Sequence, residues 1–357
     1  MIFKATLSGQ ASPGYGQATI HFPIPDSDYD LVIRMLEDIG VGSPTAQDCR
    51  VVGLEGLYPT LKRLNGQAIN VDELDYLAKR LDSFSDGEDA QFEAMAFKLN
   101  LSSIKDFINL TFCCQQATVI TNFSDLERVG KSHALTINGG AMPAAEYDQV
   151  DGRMAALDLL QNKAGTITPY GVVYDNGLEL EPLYDGRHFP AYLYKPPQMV
   201  IEIKSESNGE AAGYLYLPCT DTQLQRTLER AVAGQDGFRM EITTDDLPPQ
   251  VSAAVSLARD SLDEINGLCR AIEPLTTAQR NKLEAVVLLA RPQYASEVRK
   301  LAENLDQFDF MARPLIQETD IALTELGCVA YHGSVTLEEL MRDNPAEQHQ
   351  REMGGMK

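Results

Sequence analysis

The feature that most constrains this chain of 357 residues is an internal repeat. The apolar pattern of residues 71–81 returns at residues 262–272, and the same offset of 191 positions aligns residues 92–94 with residues 283–285. A repeat must be recognised before local patterns are assigned, because it determines the whole architecture. The repeat predicts two diverged copies of one module, and chance alignment of two amphipathic helices is the alternative, since few matches are identities.

Local patterns predict both strands and helices. Residues 2–7 and 18–22 have strand character around a turn at residues 12–16, and a helix capped by Asp28 or Asp30 should follow. Between about residues 165 and 205 apolar residues recur with a period of two, as in strands. We therefore predict an α+β fold in an elongated, modular protein of small α+β and helical subdomains, internally duplicated.

Changes of pattern along the chain suggest six segments. These are an N-terminal α+β subdomain (1–64), an acidic helical subdomain (65–135), a β-rich subdomain and joint (136–207), a second-copy α+β subdomain (208–250), a second-copy helical subdomain (251–340) and a flexible tail (341–357).

The charge balance restricts the partners of the protein. Asp and Glu number 52 against 30 Lys and Arg, giving a net charge of −22, while 44% hydrophobic residues are enough for a packed core. Such a charge repels nucleic acids and anionic membranes and attracts basic surfaces. We expect a cytoplasmic protein that binds neither nucleic acid nor membrane directly and that recognises a basic partner. The six cysteines form no Cys-x-x-Cys pair, which is typical of reduced thiols.

No motif indicates a cofactor, a metal or catalysis. Asp26, Asp28 and Asp30 have the spacing of a calcium loop, but Leu31 occupies the position that requires glycine. No phosphate-binding loop or zinc-ligand pair of histidines is present. We predict a protein that is not an enzyme. The alternative is a site assembled in space from residues that are close in sequence: Tyr170, Asp175, Asp185 and His188.

The acidic residues themselves are the remaining signal, and they crowd residues 66–95 and 146–185. The repeat-related helices at 257–286 carry five acidic and four basic residues, so we expect the negative field on the first copy. The candidate partner-binding carboxylates are Asp26, Asp28, Asp30, Asp72, Glu73, Asp75, Asp82, Asp86, Glu88, Asp89, Glu93, Asp148, Asp151 and Asp158. A solvated face that only keeps the protein soluble is the alternative explanation.

Several short passages resemble the ArdA antirestriction family. They are the N-terminal strand with residues 22–23, the helix start at residues 70–74, and residues 105–111, 117–120, 125–130, 165–167 and 170–171. The resemblance covers roughly residues 1–185. The resemblance implies an elongated protein without a catalytic centre that imitates the charge and shape of B-form DNA and fills the DNA groove of type I restriction-modification enzymes.

The target and assembly stay open at this point. A CRISPR effector is a second possible target, and an acidic interaction scaffold of a mobile element without DNA mimicry is the alternative function. The resemblance and the repeat together predict either a homodimer or an intramolecular pseudo-dimer.

Overall fold

A computed structural model describes residues 1–11, 13–85, 87–234, 236–311, 322–323 and 326–342. The chain divides between Tyr194 and Lys195 into two compact units. Each unit combines helices with antiparallel sheets, which confirms the predicted α+β fold class.

The first unit begins with a sheet of four strands. These are β1 (Phe3–Gly9), β2 (Gln17–Phe22), β3 (Cys49–Gly56) and β4 (Ala68–Ile69), in the order β2-β1-β3-β4. Helix α1 (Tyr29–Glu37) follows β2 and buries Tyr29, Ile33 and Leu36, which lie three to four positions apart. This spacing places one apolar stripe of the helix against the core.

Three helices continue the core of the first unit: α2 (Val71–Asp82), α3 (Glu88–Lys98) and α4 (Ile104–Leu110). Helix α2 begins at a capping box, in which the side chain of Asn70 accepts from the amide of Asp72 and the side chain of Glu73 accepts from the amide of Asn70. Such boxes satisfy backbone donors that have no partner within the helix. The helix start that the sequence predicted at Asn70 is confirmed.

A second sheet with helices between its strands completes the first unit. Its strands have the order β5-β7-β6. The elements in chain order are β5 (Thr118–Ile120), α5 (Leu126–Ile137), α6 (Ala144–Gln149), α7 (Gly152–Asn162), β6 (Thr166–Thr168) and β7 (Gly171–Tyr174). Helices α5 and α7 approach each other closely at Gly130 and Gly152. Only glycine fits at position 130, because a Cβ there would lie 1.8 Å from the carbonyl oxygen of Gly152.

The second unit opens with a sheet of three strands and one helix. These are β8 (Met199–Ser205), β9 (Ala211–Leu217), α8 (Asp221–Val232) and β10 (Phe238–Asp245), with the strand order β9-β8-β10. In this order β8, β9 and β10 take the places that β1, β2 and β3 take in the first unit.

The rest of the second unit is a helical layer and another small sheet. The sheet has the strand order β11-β13-β12, matching the order of the second sheet in the first unit. The elements are α9 (Pro249–Ser252), α10 (Leu262–Ile272), α11 (Thr277–Ala290), α12 (Ala295–Glu303), β11 (Phe308–Met311), β12 (Ala322–Leu323), β13 (Cys328–Tyr331) and α13 (Leu337–Met341).

In both units the same kind of hydrogen bond joins a helix to the segment that follows the second strand. In the first unit the amide of Ile24 donates to Oδ1 of Asp75 at 2.7 Å. In the second the amide of Cys219 donates to Oδ1 of Asn266 at 3.0 Å. Asp75 and Asn266 are separated by the repeat offset of 191 positions.

One helical turn further on, each unit places a basic residue beside this bond. The ammonium of Lys79 lies 2.8 Å from Asp75. Burial lowers the pKa of Lys79, but attraction to Asp75 outweighs it, so the pKa is raised. Arg270, again 191 positions later, donates to the carbonyl of Cys219 at 2.5 Å and to Asp221 at 2.7 Å.

The segments differ from the sequence prediction in two places. The predicted joint at 207/208 falls inside the β8–β9 hairpin, where the amide of Ser205 donates to the carbonyl of Glu210, so a hairpin turn had the composition of a linker. The region 136–207 was expected to be β-rich, yet helices α6 and α7 lie in it beside the strands. Residues 343–357 of the predicted tail lie outside the described residues.

The first prediction concerns the Asp75 hydrogen bond. Asp75→Asn keeps an acceptor for the amide of Ile24, as Asn266 does in the second unit, whereas Asp75→Ala leaves that buried amide without one. We expect Asp75→Ala to lower the free energy of unfolding by about 1–3 kcal/mol more than Asp75→Asn does, measured by urea denaturation. Equal losses in the two variants would contradict this role.

Candidate partner-binding surface

Three of the predicted surface carboxylates are buried. The exposed fractions of Glu73, Asp75 and Glu93 are 1%, 5% and 4%. A partner cannot reach them, so their assignment to the partner-binding surface is wrong. The physical reason is that each carboxylate accepts hydrogen bonds within the fold, which is the condition under which such groups are buried.

Glu73 lies at the centre of the first of these networks. Its carboxylate accepts hydrogen bonds from the amide of Asn70 and the hydroxyl of Tyr184, both at 2.8 Å. Tyr184 is itself fully buried, and its backbone exchanges two hydrogen bonds with the side chain of Asn109. Glu73 therefore joins α2 to a segment more than a hundred residues later.

Glu93 lies in a second network, on α3. It accepts a hydrogen bond from the hydroxyl of Thr60 at 2.8 Å and another from the side chain of Tyr170. Burial raises the pKa of Glu93, and the hydrogen bonds from Tyr170 and Thr60 only partly oppose that shift. Glu93 is therefore a hydrogen-bonded residue of the core of the first unit.

Three other predicted carboxylates accept hydrogen bonds from tyrosine hydroxyls. The hydroxyl of Tyr29 donates to Asp72 at 2.8 Å, and Tyr58 and Tyr194 donate to Asp89 and Asp82. The pKa values of Tyr58 and Tyr194 are raised, first by burial and then by these carboxylates. Tyrosine thus acts as the common internal donor to the acidic helices, a role that sequence analysis missed.

Aromatic stacking holds the tyrosine-containing segment on α2. The ring of Phe189 stacks on Tyr76 and Tyr184 at centroid distances of 4.6 and 5.0 Å. The guanidinium of Arg80 lies 4.4 Å from the ring centre of Tyr192, in cation–π contact. The sequence signal for this contact is the density of aromatic residues between 184 and 194.

The remaining predicted carboxylates differ in exposure. Asp30, Asp72 and Glu88 are half-buried, and Asp86 lies outside the described residues. Asp151 caps α7 by accepting from the amide of Met154. The exposed members of the predicted set are Asp26, Asp28, Asp82, Asp89, Asp148, Asp151 and Asp158.

Exposed acidic side chains outnumber exposed basic ones on both units. Among the described residues, the first unit exposes 16 Asp and Glu against 6 Lys and Arg. The second unit exposes 14 against 6. The expectation that the negative field is concentrated on the first copy is not confirmed, because acidic side chains outside the compared helices supply a similar excess on the second unit.

Of the four residues of the alternative enzymatic site, Asp185 and His188 contact each other, whereas Asp175 and Tyr170 each have a partner outside the set. Asp175 pairs with Lys98, Tyr170 contacts Glu93, and Asp185 pairs with His188 at 2.7 Å. The pKa values of both aspartates are lowered: hydrogen bonding to Lys98 acts on Asp175, and bonds from His188 outweigh burial at Asp185.

The described part of the chain has neither a metal-binding cluster nor a membrane-spanning helix. It contains no cluster of three or more His, Cys, Asp or Glu side chains placed to hold a metal ion. None of its helices is long and apolar enough to cross a membrane. Its cysteines are unpaired, and burial raises the pKa of Cys49 to about 12.

Comparison with known proteins gives no match: no family model, no curated protein and no solved structure is similar to this chain.

The second prediction separates buried from exposed carboxylates by charge reversal. Glu73→Lys places an ammonium among groups that donate hydrogen bonds to a carboxylate, so it should lower the free energy of unfolding by at least about 3 kcal/mol. Asp148→Lys, on an exposed side chain, should change it by less than about 0.5 kcal/mol. Urea denaturation followed by circular dichroism measures both, and a small loss for Glu73→Lys would count against its burial.

The third prediction concerns pH. The pKa of Glu93 in the folded protein is raised above its ordinary value of 4.5, so folding favours the protonated form. Its stabilising contribution is complete below pH 4.5 and is lost as pH rises through the folded-state pKa. The unfolding free energy of wild type minus that of Glu93→Gln should therefore decrease as pH rises above 4.5. A difference that stays constant with pH would exclude this linkage.

Proposed function

We propose that this protein is an acidic DNA-mimic inhibitor that occupies the DNA-binding groove of a defence enzyme. The observation that supports the proposal is the excess of exposed carboxylates on both units, which remains after the buried and tyrosine-bound carboxylates are set aside. The proposal does not include catalysis or a cofactor.

The physical basis is electrostatic imitation. Duplex DNA presents one negative charge per ~1.7 Å of its axis, and proteins that bind it offer rows of Lys and Arg. A folded chain with a net charge of −22 competes for such rows. Binding then releases counterions, so affinity should fall as salt concentration rises.

We infer further that the two units derive from a duplication. Supporting this, the sheets of the two units have the same strand orders apart from the additional β4, and Asp75 and Asn266 make the same kind of bond at the repeat offset. Duplication would give one chain two acidic faces, as an intramolecular pseudo-dimer. A homodimer is the other arrangement considered.

The proposed target is a type I restriction-modification complex in the cytoplasm, following the ArdA-like passages, and a CRISPR effector is the second candidate. The rival function is an acidic interaction scaffold of a mobile element. Competition separates mimic from scaffold, because a mimic displaces duplex DNA from its partner and a scaffold has no need to.

The fourth prediction is a loss of inhibition that accumulates with the number of reversed charges. One variant carries Asp28→Lys, Asp148→Lys and Asp158→Lys, a second carries Asp263→Lys, Glu273→Lys and Glu303→Lys, and a third combines all six. Because an exposed pair contributes about 0–1 kcal/mol, single changes should be nearly silent and the combination should weaken DNA displacement about a hundredfold. The readout is displacement of labelled duplex DNA from the purified type I complex.

The matched control reverses charge in the opposite direction at two exposed basic residues, Lys62→Glu and Arg128→Glu. These changes should leave displacement unchanged or strengthen it. Circular dichroism confirms that each variant is folded. Binding to the complex without any displacement of DNA, or displacement that does not depend on salt, would reject mimicry and favour the scaffold.

A further inference from the structure

Strand β10 of the second unit has one open edge. It pairs with β8 along one side, and no other strand pairs with it within the described ranges. All eight of its residues are exposed or half-buried. An edge strand of this length presents backbone donors and acceptors to which another extended chain can pair.

The corresponding edge of the first unit is covered. Strand β3 takes the place of β10 there, and β4 pairs with it through Cys49–Ile69 and Arg50–Ala68. A 3₁₀ turn at Pro59–Leu64 also packs against β3. After β10 the chain passes instead into α9, so the second unit lacks this cover.

The side chains around the open edge combine an apolar centre with acidic ends. Phe238 and Ile242 are 41% and 36% exposed, and they lie four positions apart, on the same side of the strand. Exposed carboxylates flank the strand at Asp236, Asp245 and Asp246.

The basic groups of this face are already neutralised. Lys204 lies 2.7 Å from Glu241 and 3.1 Å from Glu202, and Arg239 lies 3.5 Å from Glu241. Asp246 lies 4.0 Å from Arg280, so Asp236 and Asp245 supply most of the acidic charge that an incoming chain meets at the strand ends. A second copy of this chain, with its net charge of −22 and the same acidic strand ends, would be repelled.

We propose that the β10 edge is a docking site for an extended, basic segment of a partner protein, which adds a fourth strand to the β9-β8-β10 sheet. Main-chain hydrogen bonds supply the pairing, apolar side chains of the segment cover Phe238 and Ile242, and its Lys or Arg residues meet the carboxylates at the ends. This site does not depend on the carboxylates tested above for DNA mimicry.

The experiment uses the full chain and an eight-residue peptide of alternating Lys and Val, the length of β10. Binding is measured by fluorescence anisotropy, and the site is located by amide hydrogen exchange. We expect saturable binding and slower exchange within Phe238–Asp245, with little change elsewhere. A peptide of alternating Glu and Val should bind at least tenfold more weakly.

A pair of double variants tests the site. Phe238→Lys with Ile242→Lys removes apolar contacts and adds positive charge at the edge, and should weaken peptide binding about tenfold. The control, Leu31→Lys with Met35→Lys, adds the same charge at exposed apolar positions of α1, where Met35 is also 41% exposed. It should change binding less than twofold. If the edge variant is unfolded by circular dichroism, the exchange data on wild type decide.

Three results would overturn the proposal. The first is peptide binding without protection of β10, and the second is equal weakening in both double variants. The third is protection of β10 that grows with protein concentration in the absence of peptide, which would assign the edge to a second copy of the chain.

Discussion

Satisfying buried carboxylates is the constraint on which the first unit depends. Glu73 and Glu93 lie in the core, and a carboxylate there is tolerated only when donors replace the lost water. Tyr184 and Tyr170 supply those donors from segments far along the chain. Because removing either donor would leave a costly charge, these bonds specify which later segment packs against α2 and which against α3.

Because of these buried hydrogen bonds, the acidic residues of the sequence do not all lie on the surface. In the sequence, the carboxylates between residues 66 and 95 look like one continuous acidic surface. Some of them instead accept hydrogen bonds from tyrosine hydroxyls within the fold. The charge that a partner would meet is the exposed remainder, and it is distributed over both units. A mimic built in this way would act through the whole molecule rather than through one helix pair.

Local patterns in the sequence predicted local structure well. The helix start at Asn70 is present, and strands β6, β7 and β8 lie within the predicted strand region 165–205, because caps and alternating apolar residues act over a few positions. The chain turns directly after β7, with the amide of Leu178 donating to the carbonyl of Asp175. The burial of Glu73 was missed because its partner is 111 positions away, beyond any local pattern.

The strand order of the second sheet in each unit has a consequence for the connection between its first two strands. In the orders β5-β7-β6 and β11-β13-β12 the first two strands in sequence flank the third, so their ends stay about 10 Å apart, twice the spacing of neighbouring strands. The connection between those two strands has 45 residues in the first unit and 10 in the second. The same strand order therefore occurs with a long connection that contains α5, α6 and α7 and with a much shorter one, so the order does not restrict the length of this connection.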